Sequence, residues 1–150
     1  MTNTEVAAYN GPTNSAVEQD ILRLTGGKSS RIASTMQTPD QQSKIALAAA
    51  VSNSTAIADE LGQTIAVAHV VIQAADMTNE QTGELQTVPR VVLVDDKGNG
   101  HHAISAPLYR DVNNMLGIIG DPNDWDKPVT VKVVKEGKGT SQYFTVKYVL

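Results

Sequence analysis

The stretch LTGGKSSRIAS, residues 24–34, holds the residue types from which a phosphate-binding loop is made. Such a loop needs G-x-x-x-x-G-K-[ST], so that successive backbone N–H groups wrap the phosphates and the lysine reaches the outer ones. Gly27, Lys28 and Ser29 fill the last three positions, but the first glycine would fall on Leu22, and NSAVEQDILRL upstream contains no β-branched run. The pattern excludes a nucleotide hydrolase of this kind. His101 and His102 are the next candidates, as metal ligands. Neighbours in a strand point to opposite faces, so the two cannot easily share one ion. With no cysteine and only His69 elsewhere, a metal site is not expected. Asp95 and Asp96 precede a glycine turn, where aspartate serves local hydrogen bonding before acid–base chemistry. Serines are plentiful, yet no G-x-S-x-G elbow and no nucleophile–histidine pairing is legible. The sequence predicts no enzyme, metal or cofactor.

What remains is a set of cations interleaved with aromatic rings, and secondary structure must position them. Residues 1–38 are rich in Thr, Asn, Ser, Gly and Gln and predict a flexible N-terminal extension. Within it Val17, Ile21, Leu22 and Leu24 suffice for one or two helical turns, and Arg23, Lys28 and Arg31 form a basic middle without an acid. Residues 39–61 predict a helical segment with Thr38 as N-cap and Pro39 in the first helical position. Its alanine-rich run over 45–51 is interrupted at SNS and resumes over 55–61, until Gly62 ends it.

From Gly62 the hydrophobic period changes to that of strands. TIAVAHVVI (64–72), VPRVVLV (88–94) and HHAIS (101–105) read as three strands, separated by a polar loop over 75–84 and the hairpin turn DDKGNG over 95–100. A helix follows, with Ser105 as N-cap, Pro107 just inside, and Leu108, Val112, Met115, Leu116 and Ile119 on one face. Gly120 and Pro122 stop it. PVTVKVV (128–134) and SQYFTVKYVL (141–150) then form a hairpin around KEGKGT. The order β-β-β-α-β-β over residues 62–150 predicts a mainly β fold with helices, a five-stranded barrel of the OB type. An open antiparallel sheet with one packed helix is the alternative.

The totals bound this reading. A chain of 150 residues, 41% of them apolar, suffices for one modest core. Net charge is 12 minus 16, or −4, which disfavours coating nucleic acid by bulk charge and leaves local fields to do the work. No apolar run approaches the roughly 18 residues of a membrane span, and the start MTNTEVAAYNG lacks a basic-then-apolar leader, so no membrane association and a cytoplasmic location are expected.

Strand alternation sorts the last hairpin. Phe144, Val146, Tyr148 and Leu150 share one face with the core, while Tyr143, Thr145 and Lys147 share the other. In the preceding strand Val129, Val131 and Val133 face inward and Thr130 and Lys132 outward. Tyr143, Lys147 and Lys132 therefore form an outward set beside a loop carrying Lys135 and Lys138. An OB barrel uses this loop to line its ligand groove. Trp125, in the loop GDPNDWDKP, reads as a cap on the barrel end.

The order of these phrases also resembles a known family. G-x-T-I-x-V-x-x-V-V from Gly62, T-G-E at Thr82, V-V-L-V-D-D-K-G from Val91, A-I-S-A-P-L-Y from Ala103, I-I-G-D-P from Ile118, V-T-V-K-V-V from Val129 and the closing aromatic strand are similar to single-stranded-DNA-binding proteins of phages and mobile plasmids of Gram-positive bacteria. The resemblance implies an OB fold that coats single-stranded DNA with little sequence preference during replication or transfer, without a cofactor. The candidate contacts are Arg90, His101, Tyr109, Lys132, Lys135, Lys138, Tyr143 and Lys147, with Lys28 and Arg31 from the extension. Self-association through that arm and contact with replication or transfer proteins are the partner expectations. The competing reading is an assembly protein of a virion or conjugation machinery that does not bind nucleic acid.

Overall fold

The computed structural model describes residues 14–24 and 31–150. Its elements are α1 (Asn14–Leu24), β1 (Ile32–Ser34), α2 (Gln41–Ser52), β2 (Thr55–Ala56), β3 (Thr64–Thr78), β4 (Leu85–Asp95), β5 (Gly100–Ala103), α3 (Ala106–Ile119), β6 (Val129–Glu136) and β7 (Tyr143–Tyr148). Among the described residues the fold is mainly β with three helices on a curled half-barrel sheet, consistent with an OB-like fold. The strands run in the order β2-β5-β4-β3-β6-β7, with β1 added on β3.

β3 makes the curl. Its start, Thr64–Val67, pairs antiparallel with β6, while Val67–Thr78 pairs antiparallel with β4. A register shift between Val67 and His69 marks the change, and an extra residue at such a point bends and twists the strand. Past Val67, β1 takes the edge that β6 has left, pairing Ile32, Ala33 and Ser34 with Gln73, Ile72 and Val71. The strand also outruns its apolar pattern. The polar loop expected over 75–84 is strand as far as Thr78, because Asp76 accepts two hydrogen bonds from Arg31 and one from Thr87. The Arg31 guanidinium and then the Thr87 hydroxyl hold that carboxyl down at about 2.

The concave side holds the main core. Ile65, Val67, Val91, Leu93, Val131 and Val133 meet Leu108, Val112 and Met115 of α3 there. Val17 and Ile21 of α1, spaced i,i+4, are also fully buried in this cluster. The sequence places these residues in a flexible extension with one or two helical turns; here they belong to a core-packed helix, and residues 32–34 form an edge strand. Two apolar side chains per helical face are a weak signal, and only the hydrophobic burial they find in three dimensions fixes them.

The convex side holds a second, smaller core, where Ala50 of α2 packs with Val71, Val92 and Val94. The helix lies directly on β5: a Cβ on Gly100 would sit 1.9 Å from the Ala50 carbonyl oxygen. Its start differs from the expectation at Thr38. Asp40 is the N-cap, accepting from the Ser43 N–H at 2.8 Å while its own N–H donates to Ser43 Oγ. The helix also stops at Ser52. The expected continuation over 55–61 is a two-residue strand parallel to β5 and a 3-10 turn that buries Ile57. α3 begins and ends as expected, with Ser105 accepting from the Leu108 N–H and Gly120 at φ +94. No described helix is long and apolar enough to cross a membrane.

Candidate nucleic-acid interface

β6 and β7 pair antiparallel from Val131↔Tyr148 to Glu136↔Tyr143. Lys132 stands directly opposite Lys147, and on its other side Lys132 pairs with Thr64 of β3. Two and four residues along, Val134 opposes Thr145 and Glu136 opposes Tyr143, so Lys132, Glu136, Tyr143 and Lys147 share one face. Lys147 reaches diagonally to Glu136 at 2.8 Å; the hydrogen bond and the charge of that carboxylate raise the lysine's pKa. Thr145 interrupts the row. It is buried and donates to Asp111 of α3, because this edge strand runs along the helix, where Ser105 Oγ also bonds the Phe144 carbonyl.

The loop beyond β6 is tight. Gly137 has φ +87, and a Cβ there would lie 2.3 Å from the Ser141 carbonyl oxygen. This turn leaves Lys138 exposed at its tip. Lys135 belongs to the opposite face, with its ammonium 5.7 Å from the centroid of the Phe144 ring, a cation–π distance. The expected set of Lys132, Lys135, Lys138, Tyr143 and Lys147 is thus gathered at one hairpin, all exposed.

The structure does not bring the remaining described candidates to this surface. Tyr109 is 3% exposed, and its hydroxyl donates to Asp20 of α1. Burial and then that carboxylate push its pKa up. The residue belongs to the buried stripe of α3 that the sequence assigned to Leu108 and Val112, one residue wider than read. Arg90 lies under the end of α2, donating to the Val51 carbonyl and Gln73 at 3.3 Å and to Ser54 at 2.9 Å. Arg31 is engaged by Asp76. Lys28 lies outside the described residues. Tyr148 moves the other way: assigned to the core, it is 48% exposed, since β7 runs past the end of the barrel. Trp125 packs against the core and donates its indole N–H to the Gly120 carbonyl at 3.1 Å, at the barrel end.

His101 and His102 do diverge. His102 Nδ1 is 2.7 Å from Ser54 Oγ. His101 bridges Glu60 at 2.7 Å and Asp95 at 2.9 Å, tying the 3-10 turn after β2 to the β4–β5 hairpin. Burial lowers its pKa, but the hydrogen bonds to Asp95 and Glu60 outweigh that and leave it raised above 6.5. The imidazolium is therefore favoured in the folded chain. Its stabilisation is fully present below the unfolded value and is lost as pH rises through the folded one. Urea midpoints of the wild type and of His101→Gln are expected to differ most below the ordinary histidine range and to draw together as pH rises; a gap independent of pH would contradict the charged bridge. Among the described residues no cluster of His, Cys, Asp and Glu could hold a metal ion.

With this geometry in place, comparison with known proteins is informative. The family model described as phage single-stranded DNA-binding protein, of the phi29 type, matches residues 26–148. The match reaches past Gly62, where the resemblance in the sequence begins, to include β1 and α2. No curated protein and no solved structure matches the chain. A match over residues 26–148 covers β1 to β7 entire, so the chain belongs to the phage single-stranded DNA-binding protein family, whose members bind single-stranded DNA in phage replication.

Proposed function

We propose that the single strand lies on the outer face of the β6–β7 hairpin. Its phosphates meet Lys132 and Lys147, with Lys138 at the loop, and one base stacks on Tyr143; Lys135, on the opposite face, stays outside this contact. The observation that carries this reading is the Lys132–Lys147 pair. Like charges directly opposite each other destabilise a ladder, and a phosphate between them reverses the sign of that interaction. Chain architecture supports the same place. An OB-type barrel binds oligonucleotides on its second and third strands and on the loops flanking them, including that between the last two. Here α2 covers the convex face of β4 and β5, which leaves the last loop and its strands. Phosphate contacts carry no sequence information and every base has a π-face to stack, so the protein coats DNA of any sequence by binding alone. On this reading Arg90, His101 and Tyr109 hold the scaffold rather than the strand.

Glu136 is the test. Its carboxylate occupies Lys147 and stands where phosphate would approach. Glu136→Gln frees that cation, so affinity for oligo-dT is expected to rise several-fold. The slope of log K against log salt is expected to steepen by about 0.7, the value for one more phosphate on a single strand. Unchanged affinity and slope would remove this face from the interface.

A further inference from the structure

Two apolar stripes outrun the core together. On α3 the buried residues Leu108, Val112 and Met115 are followed one turn on by Ile118 and Ile119. Along β7 the buried Val146 is followed by Tyr148 and, just past the strand, by Val149. These last four residues are 41 to 84% exposed. They line one open groove of about 760 Å³ at the barrel end, together with Trp125 and Pro128. A single exposed apolar side chain needs no explanation, whereas a contiguous patch marks a surface that something covers.

The rim of the patch describes what covers it. Asp124, Asp126 and Lys127 line the same groove and are exposed. None of the three forms an ion pair among the described residues. Both signs of charge therefore stand side by side without partners. A nucleic acid would meet two carboxylates for one ammonium, and a partner of uniform charge would leave one sign unpaired. The same mixed surface, turned through half a rotation, pairs both, which is the condition for a two-fold contact between identical chains. The apolar centre matches itself in the same way. Ile118, 84% exposed, is a knob beside a groove walled by Trp125, Pro128 and Tyr148, so two copies can exchange knobs.

We infer that this barrel end is the contact between two copies of the chain, joined about a two-fold axis. Each Ile118 sits in the groove of the other copy, and each Lys127 meets the other copy's Asp124 and Asp126. An apolar centre inside a charged rim is the ordinary anatomy of an interface, the rim fixing orientation more than affinity. The contact lies off the Lys132–Lys147 face, so it holds wherever the single strand runs. The test is sedimentation velocity of the full-length protein across the micromolar range, without DNA. Wild type is expected to sediment as a dimer in equilibrium with monomer. Ile118→Gln is expected to weaken the dimer by at least about tenfold, as the loss of one buried aliphatic side chain implies, with an unchanged melting temperature and unchanged binding of a short oligo-dT. Charge reversal supplies the second arm. Lys127→Glu alone and the double variant Asp124→Lys with Asp126→Lys each set like charges against each other and are expected to be monomeric. Mixed one to one, the two are expected to dimerise, because both rim contacts are again of opposite sign. A wild type that stays monomeric leaves the patch to some other occupant and overturns the inference. Association unaffected by Ile118→Gln, a ladder of species larger than a dimer, or a mixture that stays monomeric overturns it as well.

Discussion

Replacing Lys132 and Tyr143 together by alanine is expected to weaken binding of oligo-dT by at least about tenfold, with little change in melting temperature. The stacking partner alone carries on the order of 1–3 kcal/mol per base, and about 1.4 kcal/mol is tenfold. The lost lysine adds a salt-dependent part, so the slope of log K against log salt should flatten by about 0.7. Both side chains are exposed, and neither is required to fill the core. The two single variants separate the contributions. Tyr143→Ala should lower affinity without changing the salt slope, and Lys132→Ala should change both. Unaltered binding by the double variant would place the strand elsewhere on the molecule.

Ile21→Ala is expected to destabilise the protein by about 2–5 kcal/mol, the range for deleting a large buried aliphatic side chain. For a chain of this size that lowers the melting temperature by roughly 5–20 °C. The expectation rests on an isoleucine that is 0% exposed against the concave sheet and on the Tyr109–Asp20 hydrogen bond that ties the same helix to α3. Leu22→Ala, one residue on and 39% exposed, is the internal control and should cost far less. If Ile21→Ala melted with the wild type, α1 would be an unattached arm and the core would end at β1.

The strands from Thr64 onward were legible because their alternation, their glycine turns and the Ser105–Pro107 helix start are local signals. α1 and β1 were not. Val17 and Ile21 are two apolar residues in a polar stretch, and β1 is three residues long; both are fixed by what they pack against, which no local pattern contains. The short strand before Ile57 and the 3-10 turn that buries it were hidden for the same reason, since alanine-rich sequence favours helix until Glu60 meets His101. At the candidate interface the alternation of Lys132, Tyr143 and Lys147 was readable, as was the glycine loop holding Lys138. Alternation gives the direction of a side chain but not its depth, so it could not show that Thr145 is buried against Asp111 or that Tyr148 emerges. Nor could it find the partners that engage Arg90 and His101, which lie on elements 36 and 41 residues away. Family membership decides between the two readings that the composition left open: the acidic balance had favoured an assembly protein, and a local basic face on an acidic chain accounts for both.

The most direct measurement is fluorescence anisotropy of a labelled oligo-dT against the full-length protein, repeated across a salt series with duplex DNA as competitor. Micromolar or tighter binding that survives the duplex and weakens steadily as salt rises is the predicted result. No binding at low salt, or displacement by duplex as readily as by single strand, would contradict it.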